Sequence, residues 1–174
     1  MNFSKSSLKD YIDAALYTAL QIIDEGEEGD ILVFLPGQEE IEAMASLLRS
    51  HLDEEAELSK SLSSSNTSKE DIVQSLKGMG KDVNSSLSSV IHGIQICVLY
   101  AALPADVQML AFQPKPAHCQ RKVVLATNIA ETSVTLDGIR YVVDTGKHKT
   151  RDFSGTTGME SLTIANVSQA QVRQ

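Results

Sequence analysis

Apolar and polar positions along this chain predict helices and buried strands in alternation. Apolar residues recur at helical spacing over residues 8–23, and a second helical stripe begins near Glu39. Residues 105–112, directly after a proline, predict a third helix. Short apolar runs with the length and β-branched content of buried strands lie at 31–35, 94–100, 123–126 and 139–143. This order is typical of a mostly parallel, doubly wound α/β sheet with helices on both faces.

The pattern after residue 146 predicts an antiparallel β-hairpin near the C-terminus. Lys147, Lys149 and Arg151 alternate with other residues, so on a strand their side chains project from one face. Two glycines predict the turn, and residues 159–164 predict the return strand. Three cations on one side of a ribbon suit contacts with phosphates or the separation of nucleic-acid strands. A solvated hairpin with charged outward positions explains the pattern equally well.

Residues 53–90 interrupt the alternation of helix and strand. Serines cluster there around a weakly helical patch, and such a polar segment cannot bury enough apolar surface to fold on its own. We therefore predict a Ser-rich, partly disordered insertion with at most one short helix. The 174 residues otherwise suit one domain, residues 1–174, that is long enough to bury a substantial core.

The formal net charge is −8, and the negative charge is concentrated in the first half of the chain. Residues 1–90 hold 7 Lys and Arg against 17 Asp and Glu, whereas residues 91–174 hold 8 against 6. Acidic runs, including the pair Glu39 and Glu40, are typical of solvated faces. The charge distribution therefore neither excludes nor supports contact with nucleic acid.

The cysteines and the longest apolar runs bear on metal sites and on the compartment. Cys97 and Cys119 lack the paired spacing of a zinc site, so no metal site is predicted, and Cys97 is most simply a buried thiol. No apolar run approaches the roughly 18 residues that suggest a membrane span. We expect a reducing, intracellular compartment without membrane contact; nucleus, nucleolus and cytoplasm all stay open.

Residues 121–146 carry the most informative pattern. A predicted buried strand ends at Ala126, and small and polar residues follow it before the next apolar run. Open α/β sheets place ligand-contacting groups in such loops, at the carboxyl ends of their strands. Taken alone, the spacing favours a capped helix start, with Glu131 reaching back to the first turn. The loop offers hydroxyls, one amide and two carboxylates: Thr127, Asn128, Glu131, Thr132, Ser133, Thr135 and Asp137.

Four segments resemble DEAH-box RNA helicases of superfamily 2, in the order of that family. FLPGQEEIE at 34–42 resembles motif IV, and VLYAALPADVQ at 98–108 resembles motif IVa. TNIAETSVTLDGIRYVVDTG at 127–146 resembles motif V with its following strand, and TGMESL at 157–162 resembles the hairpin after it. The resemblance covers nearly the whole chain outside residues 53–90. It implies a second RecA-like domain that ends at the start of motif VI.

The family resemblance also implies which residues contact ligands. The nucleotide-binding positions it implies are Ser133, Thr135, Asp137 and Gln174, with Asp137 accepting a hydrogen bond from a hydroxyl. The RNA-binding positions it implies are Gly37, Thr127 and Asn128, joined by the hairpin cations Lys147, Lys149 and Arg151. Many family members carry a hydroxyl residue where this chain has Pro36, which has no N–H to donate.

In this family the first RecA-like domain holds ATP and Mg²⁺ through a phosphate loop and the DEAH sequence, and neither occurs here. We therefore predict half of an RNA track and half of a nucleotide cleft, unable to hydrolyse ATP alone. The implied partners are single-stranded RNA, the first RecA-like domain, the C-terminal helicase domains and an activating protein. A non-catalytic RecA-like module that binds protein or RNA is the alternative, and an unrelated small-molecule-binding α/β domain is a third reading.

Overall fold

The computed structural model describes residues 6–63, 88–128, 136–153 and 160–166. Three helices are described: α1 (Ser6–Glu25), α2 (Gln38–Ser63) and α3 (Ala105–Phe112). The strands are β1 (Asp30–Phe34), β2 (Ser88–Ile91), β3 (Ile94–Leu99), β4 (Arg121–Ala126), β5 (Ile139–Asp144), β6 (Lys147–Phe153) and β7 (Glu160–Asn166). None of these helices has both the length and the apolar character needed to cross a membrane.

Five strands form one sheet in the order β2-β3-β4-β1-β5. β3, β4, β1 and β5 run parallel, and β2 pairs antiparallel with β3 at one edge. Parallel neighbours need crossovers, and the helices between the strands supply them. This arrangement confirms the predicted mostly parallel, doubly wound sheet.

Two apolar clusters lie on opposite faces of the sheet. The larger packs alternate residues of the strands, such as Ile31, Val123 and Leu125, against α1 and α2. The smaller packs the residues between them, such as Leu32 and Val124, against α3. Because β1, β3 and β4 are covered on both sides, they appear in the sequence as continuous apolar runs.

The predicted insertion at 53–90 has regular structure at both of its ends. α2 continues to Ser63, since the DEEAELSK stretch is rich in good helix formers even though its acidic residues are exposed. β2 begins at Ser88 and joins β3 through a two-residue turn in which His92 has φ 49° and Gly93 has φ 80°. The boundaries predicted for the insertion were therefore too wide at both ends. Its remaining residues, 64–87, lie outside the described part.

The C-terminal hairpin confirms the predicted antiparallel pair. β6 pairs with β7 so that Lys147 lies opposite Asn166, Lys149 opposite Ile164, and Arg151 opposite Leu162. The alternation places the three cationic positions on one face of the ribbon. The predicted turn lies outside the described residues.

Candidate functional site

The four parallel strands end together at one edge of the sheet, which we name the carboxyl edge. Phe34 of β1 pairs with Ala126 of β4 and with Asp144 of β5, and Ala126 also pairs with Leu99 of β3. Ligand sites of open α/β sheets lie at this kind of edge. The segments that leave these strands are the ones that resemble motifs IV, IVa and V.

Several of the predicted RNA-binding residues lie along the carboxyl edge. Gly37 follows β1, and Thr127 and Asn128 follow β4. The N–H of Thr127 donates to the carbonyl of Leu99 at 3.1 Å, which holds its main chain at the end of β3. Thr127 is half-buried and Asn128 is exposed. A hydroxyl and an amide thus flank the turn that contains Gly37.

The hairpin begins at the same edge, where hydrogen bonds from Thr145 connect its start to β1. Thr145 donates to the carbonyl of Phe34 from both its hydroxyl, at 3.0 Å, and its N–H, at 3.4 Å. The next residue, Gly146, has φ 64° and donates its N–H to the Asp144 carboxylate at 2.8 Å. In the sequence, the TG pair after an apolar run signals a turn but does not indicate that Thr145 bonds to β1.

Lys149 of the hairpin lies over the turn that contains Gly37. Its ammonium is 3.0 Å from the Glu40 carboxylate and 3.6 Å from that of Glu39. A Cβ on Gly37 would stand 2.8 Å from the Lys149 Nζ, so any other residue would force the end of this lysine to move. Gly37 is itself buried. A phosphate that approaches this turn therefore meets Lys149 before it meets the main chain.

The prediction of a solvated acidic pair at the start of α2 is half wrong. Glu39 is 89% exposed as expected, but Glu40 is only 4% exposed and faces inward toward Lys149. Helical geometry turns successive side chains by about 100°, so one of two adjacent residues can face the core. The two other hairpin cations differ in setting: Lys147 donates to Asn166 across the ribbon, and the side chain of Arg151 lies outside the described part.

Tyr100 connects the segment that resembles motif IVa to the first turns of α2. Its hydroxyl donates to a carboxylate oxygen of Glu42 at 2.9 Å, and Gln38 donates to the same oxygen at 2.9 Å. Burial, the hydrogen bond and the charge of Glu42 together raise the pKa of Tyr100 to about 12. The α2 N-terminus therefore contacts the hairpin through Glu40 and the β3–α3 connection through Glu42.

The raised pKa of Tyr100 predicts a loss of stability at alkaline pH. Because the phenol has a higher pKa folded than its ordinary 10.0, the folded chain retains a proton that the unfolded chain releases above that pH. Its contribution is complete below pH 10 and declines as the pH rises toward 12. Tyr100→Phe should make the urea-unfolding free energy fall less steeply over this range. An unchanged pH dependence would contradict the assignment, and Tyr17→Phe, at an exposed position, is the control.

Asp137, a predicted nucleotide-binding residue, lies at the opposite edge of the sheet, which we name the amino edge. It precedes Gly138, which has φ 85° and whose carbonyl accepts a hydrogen bond from the N–H of Asp30 at 2.9 Å. Since a strand of β4's length spans roughly 20 Å, Asp137 is far from Thr127 and Asn128. Thr127 and Asp137, near the two described ends of the segment that resembles motif V, therefore lie at opposite edges of the sheet.

The described part of the predicted nucleotide site fits the role of a hydroxyl acceptor. Asp137 is exposed, and the backbone after it is held by Asp30. Ser133, Thr135 and Gln174 lie outside the described residues. Within the described ranges no group of three His, Cys, Asp or Glu side chains is arranged to hold a metal ion.

Both cysteines are buried and do not form a disulfide, as predicted for Cys97. Burial raises the pKa of the Cys119 thiol, and the charge of Lys115 opposes this in part. A thiol held in this protonated form is a poor nucleophile and a poor metal ligand. The cysteines therefore have a packing role.

Sequence comparison finds relatives that match this chain over almost its whole length. It is 42% identical over 173 residues, 99% of the chain, to the pre-mRNA-splicing factor ATP-dependent RNA helicase prp22 of Schizosaccharomyces pombe. It is 39% identical over 165 residues, 95% of the chain, to the pre-mRNA-splicing factor ATP-dependent RNA helicase DEAH10 of Arabidopsis thaliana. No family model matches the sequence.

Solved structures agree with these relatives. Crystal structures of the Escherichia coli DExH-box NTPase HrpB, also described as a DEAH/RHA helicase, superpose on 93% of the chain with a TM-score of 0.63 and 32% sequence identity. The chain spans only 12% and 18% of the two curated relatives, and 15% and 16% of the two HrpB chains. It is therefore similar to one segment of much longer proteins.

Proposed function

We propose that this chain, which belongs to the DEAH-box RNA helicase family, is the second RecA-like domain of an ATP-dependent RNA helicase. The observation that carries the proposal is the convergence of three motif segments at the carboxyl edge. Gly37 with Lys149, and Thr127 with Asn128, present an ammonium, a hydroxyl and an amide along this edge. Such groups suit the phosphates and sugars of a nucleic-acid strand.

Contacts of this kind would bind RNA without regard to its sequence. Ammonium, hydroxyl and amide groups donate to phosphate oxygens and to 2′-hydroxyls, whereas base edges carry the sequence information. The hairpin adds Lys147 and Arg151 to the same face of the ribbon as Lys149. This domain would therefore supply half of a backbone track, and the first RecA-like domain would supply the other half.

The amino edge would contribute to the nucleotide cleft. Asp137 would accept a hydrogen bond from a hydroxyl of the nucleotide ribose, with Ser133, Thr135 and Gln174 completing this side of the cleft. ATP, with Mg²⁺ held by the first RecA-like domain, supplies phosphoryl-transfer energy when bound there. Because the two edges lie at opposite ends of the same strands, a movement of this domain at the cleft would also move its RNA contacts.

In this proposal the chain is one part of a larger unit that hydrolyses ATP. Hydrolysis of ATP would require the first RecA-like domain and the motif VI arginines, so we expect no hydrolysis by this chain alone. Its partners would be single-stranded RNA, the first RecA-like domain and the C-terminal domains of a longer protein. The splicing-factor names of the two relatives favour a nuclear site of action within the cell.

Titration with a single-stranded oligouridylate tests the proposed function. We expect binding that weakens with salt, because each neutralised phosphate adds about −0.7 to the slope of log affinity against log salt. Thr127→Ala should weaken binding about fivefold, the effect of about one hydrogen bond. Thr18→Ala is the matched control, since that exposed hydroxyl bonds only the carbonyl of Ala14 within its own helix. Absence of binding at low salt would reject the RNA track and favour a protein-binding module.

A further inference from the structure

A buried carboxylate holds the cation that covers the Gly37 turn. The Glu40 side chain is 4% exposed, and its Oε2 lies 3.0 Å from the Lys149 ammonium. That oxygen has no hydrogen-bond partner of good geometry within the described residues, so its contact with Lys149 is mainly electrostatic. The Lys149 side chain is 24% exposed, so the protein does not enclose it fully. A lysine whose ammonium is held by a buried carboxylate and whose side chain is still partly exposed is an arrangement suited to an anionic ligand.

The burial of Glu40 distinguishes it from its neighbour in the helix. The Glu40 side chain is 4% exposed, whereas that of Glu39 is 89% exposed. Burial and then the charge of Glu40 raise the pKa of Tyr11 in α1 to about 12. A buried carboxylate has less freedom to move with Lys149 than a surface partner would have.

We propose that Glu40 is a positioning residue for the RNA contact of Lys149. This inference rests on the proposed function. The Lys149 ammonium has three N–H donors. Glu40 lies on one side of the ammonium, and the donors that point elsewhere remain for a backbone phosphate. Because the lysine is already ordered in the free protein, the entropy of fixing its long side chain is not lost again on binding. Gly37 fits this arrangement, since a Cβ there would come within 3.0 Å of both side chains and displace the ends of Lys149 and Glu40.

If charge alone mattered, neutralising Glu40 would have the opposite effect on RNA binding, so an experiment can distinguish the two explanations. A phosphate near the start of α2 is repelled by Glu39 and Glu40, so neutralising either should tighten RNA binding if charge alone matters. If Glu40 positions Lys149, its neutralisation should weaken binding although a negative charge is lost. Glu39 is the matched comparison because it is adjacent and carries the same charge, yet is 89% exposed and 3.6 Å from the lysine.

The experiment measures binding of single-stranded oligouridylate to the full chain and its variants over a range of salt. Glu40→Gln should weaken binding about fivefold with little change in the salt slope, because Lys149 remains charged but loses its fixed position. Glu39→Gln should bind as tightly as the unmodified chain or more tightly. Lys149→Gln should weaken binding and reduce the magnitude of the salt slope by about 0.7, the value for one phosphate contact.

A charge exchange, Glu40→Lys with Lys149→Glu, separates positioning from a purely structural ion pair. We expect the exchange to recover urea stability relative to either single reversal, while RNA affinity stays as low as in Lys149→Gln. Recovery of RNA affinity together with stability would overturn the inference, as would unchanged or tighter binding by Glu40→Gln. If the unmodified chain does not bind RNA, the proposed function fails first; if it binds and only the Glu40 variants disagree, the inference alone fails.

Discussion

Lys122→Ala is expected to lower the free energy of unfolding by about 4 kcal/mol, because it combines a core cavity with the loss of charged hydrogen bonds. Lys122 is only 1% exposed, at the start of β4. Its ammonium donates to the carbonyls of Ala111 at 2.9 Å and Gln113 at 3.0 Å, at the end of α3. These carbonyls have no following helical turn to pair with, and a cation there also complements the helix dipole.

The Lys122→Met variant shows how much of the loss in unfolding free energy comes from packing and how much from hydrogen bonding. Methionine keeps most of the apolar stem, so its loss should be about 2 kcal/mol, mainly from the unpaired carbonyls of α3. Urea unfolding measures both variants, and Glu54→Ala, at an exposed position of α2, is the control. If Met were as stable as the unmodified chain, the desolvation of the buried ammonium would already cancel its two bonds.

Local sequence patterns predicted the elements that are defined by their own residues. The apolar runs at β1, β3 and β4 are recognisable because strands covered on both faces need continuous apolar side chains. The run at 139–143 was also predicted to be a buried strand, but in β5 every second residue is exposed, including Val142. The α3 boundaries follow from Pro104, which starts the helix. The shared face of Lys147, Lys149 and Arg151 follows from the two-residue period of a strand. In each case the information lies within a few consecutive residues.

The site geometry was less predictable because it depends on pairs that are distant in the sequence. Glu40 looked like one member of a solvated acidic pair, and only the return of the hairpin over Gly37 gives it a buried partner. Arg121 and Lys122 directly precede the predicted strand at 123–126, where charged side chains are commonly exposed. Both are nevertheless buried, with their charged groups at helix ends. No local pattern distinguishes such residues from exposed ones.

The location of Thr127 and Asp137 at different edges of the sheet was likewise not predictable from a local pattern. The sequence shows a polar loop between two strands, from which a single ligand cluster is the simplest expectation. Because β4 and β5 are both parallel to β1, the loop must travel from the end of one strand to the start of the other. Topology therefore assigns Thr127 and Asp137 to different edges, and the composition of the loop cannot.

Asp30→Ala is expected to lower the free energy of unfolding by about 3 kcal/mol, because it leaves buried donors unpaired at the amino edge. Asp30 is 4% exposed, and its Oδ1 accepts the N–H of Lys122 at 2.9 Å and the ammonium of Lys115 at 3.0 Å. Lys115 is 32% exposed and can turn to water, so the buried N–H of Lys122 accounts for most of the loss.

Comparison of Asp30→Asn with Lys115→Ala tests this division. Asparagine retains one oxygen for the Lys122 N–H, so we expect a loss of about 1 kcal/mol, and Lys115→Ala should cost about 0.5 kcal/mol as a partly exposed ion pair. Urea unfolding at neutral pH measures all three variants. A Lys115→Ala loss as large as that of Asp30→Ala would show that the ion pair dominates instead. The backbone N–H of Asp30 donates to the carbonyl of Gly138, and all three variants retain that N–H, so the turn before β5 should keep this hydrogen bond in each of them.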